Sequence, residues 1–192
     1  MSTALLIVDM MNDHVHADGA ASRHLGSGLT DGQRAALLGN TRRLLQRARA
    51  AGGPVVHVRN EYRWDNLDCG TAEARLRQRP LPPGVPNKII GTWGARIVDD
   101  LAPAADEPVV VKKNQSAFWF TPLDLLLRRL GVQTCITVGG AAGGCLNDTV
   151  REGVGYGYEF VVVTDALYPP DHPIVESLRQ RATLTTTDEV LG

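Results

Sequence analysis

Cysteine is scarce in this chain and odd in number: Cys69, Cys135 and Cys145 are the only three in 192 residues. So few thiols argue against a disulfide framework and for reduced cysteines in a cytoplasmic protein. No two of them have the spacing of a zinc site. Aromatic residues make up 5%, and the formal net charge is −1. Without a basic block or an acidic tail, neither nucleic acid nor a membrane surface is an expected partner. No apolar run approaches the roughly twenty residues of a membrane span. The opening MSTALLIVDMMNDH lacks the charged flank of a signal peptide and reads as a strand. Internal repeats and low-complexity segments are missing too. What remains, 43% hydrophobic and 21% charged, suits one globular domain over residues 1–192.

Within that length, apolar runs and helical patterns alternate. TALLIVDM, PVVHVRN, PVVVKK, VQTCITVGG and YEFVVVTDA read as short buried strands. TDGQRAALLGNTRRLLQRARAAGG carries Leu37, Leu38, Thr41, Leu44, Leu45 and Ala48 at helical spacing. Thr30 or Asp31 can cap that helix, and Gly52 and Gly53 end it. TPLDLLLRRLG, GGCLNDTVREGVGYG and HPIVESLRQRATL predict further helices, and TTT near the C-terminal end predicts a last short strand. Residues 60–108 are irregular and rich in proline, glycine and arginine, a length typical of functional or partner-facing segments. The alternation predicts an α/β fold: a single-domain parallel, Rossmann-like sheet of six strands with helices on both faces. Right-handed crossovers then bring the carboxyl ends of all strands to one edge, where ligands bind in such folds.

Three reactive groups fall on that edge. Asp9 ends the first strand, Lys112 ends the third, and the GGAAGGC loop of residues 139–145 follows the fourth. Cys145 stands where loop becomes helix. A helix N-terminus and a nearby ammonium lower a thiol pKa, and free N–H groups there can hold an oxyanion. The competing reading is a small buried residue at a tight crossing. Asp9 can relay a proton to or from such a thiol within hydrogen-bond reach; otherwise it orders the loop, the role expected of Asp13. A lysine closing a buried strand is costly unless paired. Asp9 is the natural partner of Lys112 if the first and third strands flank the crevice, whereas Lys113 points the other way. Cys135 reads as core, and Cys69 has no evident charged partner. His14 and His16 beside Asp13 do not make a metal set. GGAAGG lacks the Lys-Ser or Lys-Thr of a phosphate loop and fails as a dinucleotide fingerprint. Neither metal nor cofactor is implied.

These residues, read together, resemble the isochorismatase-like cysteine hydrolases, a superfamily that includes nicotinamidases, N-carbamoylsarcosine amidohydrolases and ureidoacrylate-type amidohydrolases. ALLIVDMMNDHV is similar to the family's opening strand, GTWGARIVDDLAP to its segment before the third strand, and residues 109–167 to its catalytic half. The resemblance implies Asp9 as acid/base, Lys112 as the charge-stabilising lysine and Cys145 as nucleophile. Lys112 is preferred to Lys113 because the family lysine stands four residues before the serine of SAF, here Ser116. It also implies a cis peptide between Gly140 and Ala141, and an oxyanion hole made by the N–H groups of Ala141 and Cys145.

The departures from the family are specific. Met11 replaces the usual Gln, and Ala142 and Gly143 replace the more typical Thr and Asn, which suggests a roomier pocket or a different substrate. The metal set of nicotinamidases is absent. The expected activity is cysteine-dependent hydrolysis of a small amide, carbamoyl or lactam-type C–N bond through an acyl-enzyme. Two alternatives stay open: a vinyl-ether hydrolase using Asp9 without covalent catalysis, and a non-catalytic binding protein on the same fold. Trp93, Phe118 and Trp119 are candidate substrate-binding walls, although aromatics fill cores more often. The segment NEYRWDNLDCGTAEARLRQRPLPPG is the expected specificity determinant, as lid or subunit contact. The expected partners are a small-molecule substrate and, by resemblance, further copies of the chain in a dimer or tetramer.

Overall fold

The computed structural model describes residues 2–24, 28–69 and 84–192. Its strands are β1 (Ser2–Val8), β2 (Val55–Asn60), β3 (Val109–Lys112), β4 (Val132–Gly140), β5 (Glu159–Tyr168) and β6 (Thr183–Thr185). They form one sheet in the order β3-β2-β1-β4-β5-β6, and every neighbouring pair is parallel. The order reverses between β1 and β4. The chain leaves those two strands in opposite directions, which opens a crevice at their carboxyl ends.

The described helices are α1 (Asn12–Val15), α2 (Ala20–His24), α3 (Asp31–Ala50), α4 (Leu123–Arg129), α5 (Asn147–Gly155), α6 (Ile174–Leu178) and α7 (Thr187–Leu191). Strand alternation sends side chains to two cores. Ala4, Leu6 and Val8 of β1 face one core with Leu123 and Leu127 of α4 and Val150 of α5. Leu5 and Ile7 face the other with Leu37, Leu44 and Leu45 of α3. The sheet is thus sandwiched between helices, as the alternation of the sequence predicts. α3 starts at Thr30 through a reciprocal capping box with Gln33.

Two expectations shift. The last strand is Thr183–Thr185 rather than residues 185–187. Thr186 instead caps α7 in a box with Glu189, and Thr187 is held by Asp165 Oδ1 through both its N–H (2.8 Å) and its hydroxyl (2.9 Å). The helix expected from His172 onward shortens to Ile174–Leu178, where the Leu178 carbonyl accepts from both Arg181 and Ala182. Between β2 and β3, single bridges tie Tyr62 to Ile89 and Met11 to Ile97, and a 3-10 turn spans Asp99–Leu101. Residues 70–83 of the expected specificity segment lie outside the described residues. No helix among the described residues is long and apolar enough to cross a membrane.

Candidate active site

β1 is buried on both faces and delivers Asp9 to the carboxyl edge with φ at +52°. Few non-glycine residues take this left-handed conformation, and aspartate is among those that tolerate it. Three bonds fix the turn: Asp9 N–H donates to the Val58 carbonyl (2.8 Å), and its own carbonyl accepts from Met11 N–H (2.9 Å) and the Tyr168 hydroxyl (2.7 Å). The carboxylate is thereby aimed across the edge while remaining buried.

Lys112 closes β3 in register with Asn60 of β2. The expectation that the first and third strands flank the crevice is corrected here. β2 lies between them, and the crevice opens on the other side of β1, toward β4. The long lysine stem spans the end of β2. Its fully buried ammonium contacts Asp9 Oδ2 at 2.9 Å, Asn60 Oδ1 at 2.7 Å and the Asn114 carbonyl at 3.0 Å. Three partners match the three donors of an ammonium. Burial acts to lower the Lys112 pKa, but the charge of Asp9 and its hydrogen bond with the ammonium raise it, and the value stays above the ordinary one. Lys113 points away, to Asp68 at 2.8 Å.

The small-residue loop is small because other backbone occupies the space. A Cβ on Gly139, which has φ +96°, would lie 2.1 Å from the Val8 carbonyl oxygen, and one on Gly140 would lie 2.5 Å from that of Tyr168. The Gly140–Ala141 peptide is cis. The Ala141 carbonyl accepts from both Gly144 (3.0 Å) and Leu146 (3.2 Å). A π-helical turn over Ala142–Leu146 therefore precedes α5 and contains Cys145. Thr149 ties the turn to the neighbouring loop: its hydroxyl donates to the Cys145 carbonyl (2.6 Å) and accepts from Ala117 N–H (2.9 Å). Thr149 is fully buried, so Thr149→Val strands the Ala117 N–H. The expected loss is about 1–3 kcal/mol, read as a lower urea midpoint with an unchanged slope.

The Cys145 thiol lies 3.0 Å from Gln115 Oε1 and 3.7 Å from Asn60 Oδ1, with Asp9 and Lys112 beside it. Its pKa is pushed up to about 11, first by burial and then by the Asp9 charge, against the opposing pull of Lys112. This reverses the lowering expected from a loop-to-helix junction. The thiol sits inside a half-buried turn beside Asp9 rather than at the head of an exposed helix, and the ammonium is already committed to Asp9. Without substrate, the rate of Cys145 alkylation by iodoacetamide should therefore climb from pH 7 toward about 11, following the thiolate fraction. A plateau near neutrality would contradict this ordering of effects.

Sequence reading missed Asn60 and Gln115, whose amide oxygens face the thiol, and His172. Asn60 had a signal, since it closes the second strand as Lys112 closes the third. The His172 ring packs on the small-residue loop that leads to Cys145: a Cβ on Gly143 would lie 2.3 Å from its Cε1. The room expected from Gly143 is thus taken by an imidazole from the segment after β5. Phe118 is buried in the core and stacks on Tyr156 and Tyr158 at centroid separations of 5.3 and 5.7 Å. Trp93 meets His16 edge-on, and Trp119 stacks on the exposed Phe120. Among the described residues, no group of three or more His, Cys, Asp or Glu side chains could hold a metal ion.

The sequence profile of the isochorismatase domain matches residues 3–186. The chain belongs to the isochorismatase family. Among isochorismatase relatives, the ureidoacrylate amidohydrolase RutB of Serratia proteamaculans is 30% identical over 204 residues, covering 99% of this chain and 77% of its own. The N-carbamoylsarcosine amidase of Thermoplasma acidophilum superposes with a TM-score of 0.80 at 27% identity, over the whole of both chains. An isochorismatase family protein of Desulfovibrio vulgaris superposes with a TM-score of 0.81 at 33% identity, over 99% of this chain and 98% of that one. The isochorismatase match spans all three groups at the crevice, from Asp9 through Lys112 to Cys145.

Proposed function

We propose that the protein is a cysteine amidohydrolase acting on a small non-peptide C–N bond. The observation that carries this reading is the thiol of Cys145 set beside the buried Asp9–Lys112 ion pair at the switch point of the sheet. Relatives named as ureidoacrylate amidohydrolase and N-carbamoylsarcosine amidase support the same class of reaction.

In this reading the resting site holds a neutral thiol, an ionised Asp9 and a protonated Lys112. As Sγ attacks the amide or ureido carbonyl carbon, its proton passes to Asp9. The charge never rests on sulfur, so a high thiol pKa does not block attack. It moves to the carbonyl oxygen, which the N–H groups of Ala141 and Cys145 receive. Asp9 returns the proton to the departing nitrogen as the C–N bond breaks. Water, deprotonated by Asp9, then cleaves the thioester and restores the thiol. Lys112 keeps Asp9 oriented through both half-reactions, and Asn60 fixes Lys112. Trp93 and Trp119 are the candidate pocket walls.

The test is mass spectrometry of the protein mixed with a panel of small amides, carbamoyl compounds and lactams, with ammonia or amine release followed in parallel. An acyl adduct confined to the peptide containing Cys145 is the expected result. Hydrolysis that persists after complete alkylation of Cys145 would refute the covalent route and leave Asp9 as the acting group.

A further inference from the structure

Cys145 stands beside Asp9, yet the thiol donates elsewhere. Its Sγ lies 3.0 Å from Gln115 Oε1. The next amide oxygen, Asn60 Oδ1, is 3.7 Å away and already accepts from Lys112 Nζ at 2.7 Å. Asp9 Oδ2 faces the same ammonium at 2.9 Å. The thiol hydrogen of the resting site is therefore turned toward Gln115, whereas the proposed reaction needs it turned toward Asp9.

The main chain around Gln115 is pinned on both sides. The Asn114 carbonyl accepts from Lys112 Nζ (3.0 Å) and from Asn60 Nδ2 (3.3 Å). Ser116 Oγ accepts from Phe118 N–H (3.1 Å), and Ala117 N–H donates to Thr149 Oγ1 (2.9 Å). The Gln115 residue between these anchors is half-buried. Among the described residues, its side chain makes one hydrogen bond, the one from Cys145. The amide can thus turn about its own side-chain torsions while the loop stays in place, at the cost of one weak bond from sulfur.

The facing turn leaves room for that amide. A Cβ on Gly144 would lie 3.2 Å from Gln115 Oε1. Gly144 is not among the glycines with positive φ, so its backbone does not demand glycine. The missing side chain instead lets the amide oxygen rest against the residue before Cys145. An acceptor on the S–H also favours thiol over thiolate, in the same sense as burial and the Asp9 charge.

We propose that Gln115 gates the nucleophile: in the resting protein its amide caps Cys145 and holds the thiol hydrogen away from Asp9, and it swings off before Sγ attacks. The step it controls rests on the amidohydrolase reading. Opening changes no covalent bond. One S–H···O hydrogen bond breaks, the hydrogen turns about the Cβ–Sγ bond toward Asp9, and proton transfer and S–C bond formation follow. A thiol beside a general base is thereby kept inert toward soft electrophiles while the crevice is empty. Gln115 acts through Cys145 and is a positioning residue.

The first test is the rate of Cys145 alkylation by iodoacetamide, followed on the Cys145 peptide by mass spectrometry. Gln115→Met keeps the length of the side chain and removes the acceptor. It should speed alkylation near neutral pH by about three- to tenfold and shift the pH profile toward lower pH. Gln115→Glu, which adds a negative charge beside the sulfur, should slow it below the parent rate. Circular dichroism of both variants should match the parent. The second test reads the hydrogen bond itself. In the infrared difference between the parent and Cys145→Ala, the S–H stretch of Cys145 should lie below that of a free thiol, and Gln115→Met should return it to the free position. Alkylation that is unchanged or slower in Gln115→Met would overturn the gate, a slower rate meaning that the amide nitrogen donates to sulfur. A severalfold rise in KM of Gln115→Met for a hydrolysed amide would overturn it too, making Gln115 a substrate contact. Faster alkylation of Gln115→Met without an acyl adduct from any compound of the panel would refute the hydrolase reading and leave the cap on the thiol standing.

Discussion

Replacing Cys145 with alanine should reduce hydrolysis by on the order of a thousandfold or more while leaving the urea midpoint close to that of the parent. On the proposed covalent route the kinetic effect is large because the thiol carries the acyl chain between half-reactions. The stability effect is small because Cys145 is only half-buried and its bond to Gln115 is a weak one from sulfur. Serine at the same position is the sharper control. It keeps a hydroxyl donor for Gln115 but is a far poorer nucleophile, so it should fold like the parent and be nearly inactive. A Cys145→Ala protein that turns over at the parent rate would end the covalent mechanism.

Lys112→Met should be the most destabilising substitution at the site. Lys112 and Asp9 are both buried, with side chains 0% and 1% exposed. Methionine matches the lysine stem in bulk but leaves Asp9 ionised and uncompensated, a loss of roughly 3–5 kcal/mol. Changing both members, Lys112→Met with Asp9→Asn, removes the stranded charge and should restore much of that stability without restoring activity. Urea titration of the two single variants and the double variant gives the coupling directly. A loss below about 1 kcal/mol for Lys112→Met would show that the pair lies in far more polar surroundings than its geometry indicates. The pH dependence has a defined sign. The Lys112 pKa is raised in the folded protein, so its contribution is fully present below the pKa of an unfolded lysine. It is lost as pH rises through the higher folded value. Stability from this group therefore persists through neutrality and falls only in alkali.

Much of the fold was legible because its signals are local. Runs such as LLIV and FVVV bury both faces of a parallel strand, and each is followed by helical spacing or by a small-residue loop. The Thr30 and Gln33 box marks the start of α3 four residues at a time. Mistakes fell where local signals compete. Thr185, Thr186 and Thr187 all suit a strand, yet a reciprocal box with Glu189 claims Thr186 as a helix cap and Asp165 claims Thr187. Threonine's β preference lost there to hydrogen bonds that a single-residue scale does not contain.

The chemistry divides in the same way. Sequence alone determined that an acid, an ammonium and a thiol sit at strand ends of a parallel sheet, because strand direction and right-handed crossovers follow from local pattern and chirality. Only the tertiary structure decided how they meet. It placed β2 between the strands bearing Asp9 and Lys112, and made Asn60 the hinge of the contact. It reversed the expected direction of the thiol pKa, because burial and a neighbouring carboxylate depend on the packing of residues far apart in the chain. It also filled the space beside Gly143 with His172. Desolvation and Coulomb energies depend on three-dimensional distance, and sequence separation does not encode that distance.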